Sequence, residues 1–135
     1  MCIRKHFVLL LVLLACAGCS KEKSTDEMIG DLSFSTNERD RLSAVRRLPH
    51  HEQDAAKVVP ALIKALKDRA DHVRRSAAIG LGYFGEEAKD AIPDLQALLR
   101  DPDARTREAA AAALFRIDPD KFKDPRMTAK RVQVN

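Results

Sequence analysis

Three groups of side chains in this sequence have types and spacings that could do chemistry. His50-His51-Glu52 with Asp54 gathers imidazoles and carboxylates, the ligand set of a divalent metal site. Adjacent histidines rarely reach one ion, however, and the segment falls between two helical patterns. A solvated polar loop is therefore the expectation, with an enzyme or metal site as the alternative. Arg41, Arg74 and Arg107 recur at a constant offset of 33 residues. Such a column could hold a phosphate or an acidic partner. It could also bond turns and neighbouring units together through Asp68 and Asp101, and that structural role is the expectation. The third group is cysteine: Cys2, Cys16 and Cys19 all lie in the first nineteen residues, so the remaining chain has none for catalysis or a disulfide. Serines are few after the leader, and no glycine-rich phosphate loop occurs. The sequence thus predicts no catalysis and no cofactor.

The leader explains the cysteines. Arg4 and Lys5 precede Phe7-Val-Leu-Leu-Leu-Val-Leu-Leu-Ala-Cys-Ala-Gly18. As a helix this apolar run would be roughly 18 Å long, short of the ~30 Å hydrocarbon core, which describes a secretory signal and not a membrane span. Ala17-Gly18-Cys19-Ser20 resembles the lipobox of bacterial lipoproteins, and Leu13-Leu14-Ala15-Cys16 offers a second match. The resemblance implies cleavage and acylation at Cys19, with Cys16 as the alternative. Residues 1–18 then form the signal peptide and 19–26 a hydrophilic tether. Two or three acyl chains hold a protein on a membrane where one would not. Neither cysteine is followed by Asp, so in a Gram-negative cell the implied destination is the outer membrane, facing the periplasm.

The elements that must position the polar groups come from the same 33-residue offset. It aligns Ala44, Ala77 and Ala110, and likewise Leu48, Leu81 and Leu114, with the arginine column. Pro60 with Pro93, Leu66 with Leu99 and Asp68 with Asp101 repeat in the last two units. Fixed-period similarity of this kind marks stacked helical repeats. In the second unit Val59-Pro60 is expected to open a helix, Asp71 to cap the next one, and Gly82 to Gly85 to stop it. The first unit is expected to place helices at Met28 to Phe34 and from a cap at Thr36 or Asn37 to Pro49. The third repeats the pattern from Ile92-Pro93 through Leu114. Small residues such as Ala77, Ala78, Ala110 and Ala111 allow close helix approach. The fold class predicted is all-α, a short α-solenoid of three helix pairs over 27–57, 58–90 and 91–118.

The second and third units resemble HEAT-like repeats of the phycobilin-lyase type. The strings that carry the resemblance are Asp68-Arg-Ala-Asp-His-Val-Arg-Arg-Ser-Ala-Ala-Ile-Gly-Leu-Gly-Tyr-Phe-Gly85 and Asp101-Pro-Asp-Ala-Arg-Thr-Arg-Glu-Ala-Ala-Ala-Ala-Ala-Leu114. The third unit departs from the pattern at Thr106 and lacks both glycines. The resemblance implies a superhelical scaffold and says little about activity, since this fold hosts scaffolds, regulatory subunits and a few enzymes. Export argues against bilin attachment. Some HEAT-repeat hydroxylases hold two irons with paired His-Glu motifs at repeated positions. Here the positions equivalent to His51-Glu52 supply no second pair.

The inner helix layer is where such solenoids bind, which makes Arg46, His72, Arg75, Arg105 and Glu108 the candidate contacts. Of Tyr83 and Phe84, one is expected under the inter-unit loop and the other exposed to a partner. Residues 119–135 lose the period and are basic. Phe122 and Met127 either fold back as a cap or belong to a flexible tail. The formal charge of +4 suggests a nucleic-acid or membrane surface. Its distribution does not. Residues 20–120 hold 17 basic and 19 acidic side chains, so the excess sits in the leader and the tail. The expected partner is an unidentified envelope protein, with the membrane engaged through the lipid, no nucleic acid and an open oligomeric state.

Overall fold

The structure is a computed structural model that describes residues 22–123. Cys16, Cys19, the signal peptide and Met127 lie outside the described residues. Helices come in three consecutive pairs: α1 (Thr25–Phe34) with α2 (Glu38–Arg47), α3 (Ala55–Ala65) with α4 (Asp71–Phe84), and α5 (Ile92–Leu98) with α6 (Ala104–Ile117). Among the described residues there is no strand. The chain is therefore an all-α solenoid of short helical units. None of its described helices is long and apolar enough to cross a membrane.

Local chemistry sets most helix ends. Ser24 accepts from the Glu27 N–H while the Glu27 carboxylate accepts from the Ser24 N–H, a complete capping box that starts α1. Asn37 caps α2 through the Arg39 N–H, and Asp103 caps α6 through the Thr106 N–H at 2.7 Å. Two expectations need correction. Asp71 is not the cap of α4 but its first helical residue. The cap position is Ala70, which has no side chain to cap with, and Asp68 takes the Ala70 N–H at 2.8 Å to order the turn ahead of the helix. Pro60 does not open α3, which begins five residues earlier at Ala55. Its ring lies on an exposed part of the helix, where solvent tolerates the lost hydrogen bond. Its counterpart Pro93 does sit in the first turn of α5, because Ala88 leaves helical geometry (φ −97°, ψ 20°) and the preceding Gly85–Ala91 segment winds as a 3₁₀ turn. The stop of α4 falls within the expected range: the helix passes through Gly80 and Gly82 and closes at Gly85, whose φ of +54° is the left-handed turn glycine permits.

The two interior glycines serve packing. A Cβ on Gly80 would stand 2.8 Å from Pro49 Cγ and 3.2 Å from Leu62 Cδ1. One on Gly82 would stand 3.3 Å from the Ala113 Cα. Gly80 makes room for the Pro49 ring and Leu62, while Gly82 lets α4 and α6 approach closely, where Ala77 and Ala110 are also buried. Between the layers lie Met28, Val45, Leu48, Leu62, Leu66, Leu81, Leu95, Leu114 and Ile117, each almost completely buried. Burial of each contributes roughly 1.5–3 kcal/mol.

The two ends differ from the middle. Val73 and Thr106 are fully buried against the preceding unit, but the equivalent position in the first unit is the exposed Asp40. Gly80 and Ala113 are likewise replaced by the exposed Arg47. Charge thus closes the amino-terminal edge to further stacking. At the other edge Leu99 is 40% exposed where its counterpart Leu66 is 1% exposed, since no fourth unit covers it among the described residues. Phe122 packs against the core there.

Candidate functional site

Most of the polar groups that stand out in the sequence are engaged in holding units together. Arg41 donates from Nε and Nη2 to both carboxylate oxygens of Asp68, at 2.7 and 2.9 Å, and from Nη1 to the carbonyls of Ser35 and Thr36. Arg74 repeats this on Asp101, at 2.8 and 2.9 Å, and on the carbonyls of Asp68 and Arg69. Bidentate pairing of this kind fixes orientation as well as distance. Each aspartate also accepts the N–H two residues on, of Ala70 or Asp103, so one carboxylate both orders its own turn and grips the arginine of the unit before. Arg107 keeps the carbonyl bonds to Asp101 and Pro102 but has no carboxylate partner among the described residues. At the opposite end Ser35 stands in the aspartate position and makes the same local turn, its hydroxyl accepting the Asn37 N–H. No arginine precedes it at the ladder spacing, so no carboxylate is needed there.

Electrostatics follow from these contacts. Burial pushes the Asp68 carboxyl up, but the hydrogen bond from Arg41, the Ala70 N–H and the nearby positive charge outweigh it and hold its pKa below the ordinary carboxylate value. Asp101 is held low chiefly by the hydrogen bond from Arg74. Asp103 is held low by the Thr106 hydroxyl and N–H. These shifts belong to structural ion pairs and caps.

The 50–54 loop divides. Thr25 Oγ1 donates to Asp54 and lies 3.1 Å from His51 Nδ1, so the latter contact uses an Nδ1–H and that nitrogen is no metal ligand in this arrangement. His50 and Glu52 instead line a groove on the layer formed by α2, α4 and α6. Among the described residues no three His, Cys, Asp or Glu side chains are grouped to hold a metal.

That groove, about 510 Å³, runs between α2 and α4. Its floor is Val45, Pro49 and Gly80, and Arg46, Ile79 and Tyr83 rise around it. Ile79 is 40% and Tyr83 69% exposed, large apolar surface for a molecule this small. The Arg116 guanidinium lies 5.7 Å from the centroid of the Tyr83 ring and steadies it. Phe84, by contrast, packs against the core. Of the candidate contacts, Arg46 and Tyr83 meet at the groove. His72 Nδ1 lies 3.4 Å from Arg75 Nη2 on the next turn towards the start of α4, and Arg105 and Glu108 are exposed on α6. Sequence reasoning missed Ile79 and Ser35. The 33-residue offset could have found both, since it aligns Ser35 with Asp68 and Asp101, and Ile79 with Arg46.

Comparison with known proteins agrees with this geometry. Residues 31–115 match the family of HEAT repeats. The protein named "Uncharacterized protein SkfG" from Bacillus subtilis (strain 168) is 39% identical over 83 residues, which covers 62% of this chain and 46% of the relative. The chain therefore spans about half the length of that relative. With well over half of its residues matched and the helical pairs in register, the chain belongs to the HEAT-repeat family.

Proposed function

We propose that this protein is a lipid-anchored HEAT-repeat scaffold that binds another protein of the cell envelope and performs no catalysis. The observation that carries the reading is the division of labour among its polar groups. The Arg–Asp pairs are spent on the stack, whereas Ile79, Tyr83 and Arg46 stand exposed around a groove with no structural duty of that kind. Exposed aromatic and arginine side chains beside an apolar cleft are what protein interfaces use. The leader supports anchoring through acylated Cys19, or Cys16, and in a Gram-negative cell an outer-membrane location facing the periplasm. Within the family, the Asp turn, Val73-Arg74 and Leu81-Gly82 favour the phycobilin-lyase type of repeat, as a repeat type and not as an activity.

In-cell photocrosslinking tests the scaffold reading. A crosslinker at position 79 is expected to capture one stoichiometric envelope protein, and one at exposed Lys64 on the other layer is not. Absence of an adduct at every exposed second-layer position, together with substrate turnover by the purified protein, would overturn it. Cys19→Ser is expected to remove the lipid mass and the membrane association. Retention of both, with their loss in Cys16→Ser, would move the anchor.

A further inference from the structure

We propose that the α2–α4 groove recognises an acidic peptide segment that carries one large apolar side chain. This rests on the protein-binding reading above and names the chemistry of the partner.

The 33-residue offset places Arg39, His72 and Arg105 in one row across the second-helix layer. All three are exposed. Arg46 and His50 border the groove on the α2 side, and exposed Arg116 borders Tyr83 on the α6 side. Glu38, Asp40, Asp71 and Glu108 share this layer, but Arg39, Arg46, Arg47, Arg75, Arg105 and Arg116 outnumber them, so it is net cationic on a nearly neutral body. A carboxylate-bearing partner is favoured there by complementarity, in rate and in specificity. The groove supplies the second half of the recognition. Val45 and Pro49 are buried beneath it, and the Pro49 ring packs directly on Gly80, whose missing Cβ leaves room for it in the floor. An aliphatic or aromatic anchor fits such a cleft, flanked by Ile79 and the Tyr83 ring.

A polyanion without apolar groups would leave that cleft unused. Glu108 on α6 also interrupts the cationic row that a phosphate backbone would follow. An acidic peptide satisfies both features with one chain.

The probe is a fluorescein-labelled peptide of Glu residues with a single central Phe, titrated by anisotropy against the full-length protein in detergent. Comparison probes replace Phe by Ser, replace every Glu by Lys, or substitute an oligothymidine or vesicles of phosphatidylglycerol. The Glu/Phe probe is expected to bind at least about tenfold more tightly than every other. Arg46→Glu and Ile79→Ser should each weaken it by about tenfold, and Arg46→Glu should gain affinity for the Lys probe. Both side chains are exposed, so far-UV circular dichroism should be unchanged and any loss is attributable to binding. Equal binding of the Glu and Lys probes overturns the proposal. So does insensitivity to both substitutions, or tighter binding of oligothymidine or vesicles. Should crosslinking at position 79 capture a partner while the Glu/Phe probe fails, the acidic specificity falls and the scaffold reading stands. Failure of both removes both.

Discussion

Removing one rung of the arginine–aspartate ladder should cost far more than removing a surface ion pair. In Asp101→Ala the Arg74 guanidinium loses two charge-assisted bonds of 2.8 and 2.9 Å, and the Asp103 N–H loses its acceptor at 2.9 Å. The side chains of the pair are only 14% and 6% exposed, so the stranded guanidinium regains little water. Deleting one partner of a well-buried pair costs about 3–5 kcal/mol. Arg74 keeps its bonds to the carbonyls of Asp68 and Arg69, which places the expected loss near the lower bound, about 3 kcal/mol. For a body of this size that is a fall in Tm of about 12–24 °C. Lys57 with Asp26 serves as the control: both side chains are more than half exposed, and Lys57→Ala should leave the melt unchanged within error. The same aspartates set the acid limit. Their folded pKa values are depressed, so the stability they contribute is present above the unfolded Asp value of about 3.9 and is lost as pH falls through the folded values. Wild type should lose stability more steeply than Asp101→Ala below about pH 4. Thermal unfolding followed at 222 nm, at pH 7 and in the acid range, measures both effects. A loss below about 1 kcal/mol at pH 7, or identical acid slopes, would refute the claim that these rungs hold the units together.

Other substitutions separate local from tertiary effects. Arg107→Ala should destabilise less than Arg74→Ala, because Arg107 holds carbonyls but no described carboxylate; equal Tm losses would contradict this. Gly30→Ala and Gly80→Ala should shift Tm in opposite directions. An added Cβ at Gly30 meets nothing within 4 Å and gains up to about 1 kcal/mol of helix propensity, whereas at Gly80 overpacking of about 1–3 kcal/mol against Pro49 and Leu62 exceeds that gain. Pro60→Ala should stabilise by about 2 kcal/mol, the restored helical bond exceeding the lost chain stiffness. Pro93→Ala, in a first turn, should be nearly neutral, and denaturant midpoints would distinguish the two.

The architecture was legible in the residues alone. A 33-residue period that keeps Arg, Ala and Leu in register can be satisfied only by units that stack, and the alternation of apolar helical faces with Asp-rich turns made those units helix pairs. The caps were legible in part: Asn37 is the α2 cap, but Asp71 is not the α4 cap. The α4 cap falls on Ala70, one residue earlier, where Asp68, held by Arg41, orders the preceding turn through the Ala70 N–H. Pro60 and Pro93 make the same point. Identical in register, they differ in helical position because the segments ahead of them wind differently. Which polar groups remain for function emerges only once the units pack. Packing paired Arg41 with Asp68 and Arg74 with Asp101, turned His51 and Asp54 towards Thr25, and left Arg46, Ile79 and Tyr83 around an open cleft. The difference comes from distance along the chain. Periodicity reports neighbours within a unit, but the groove lies between units, where the missing side chain of Gly80 and the ring of Pro49 set the spacing.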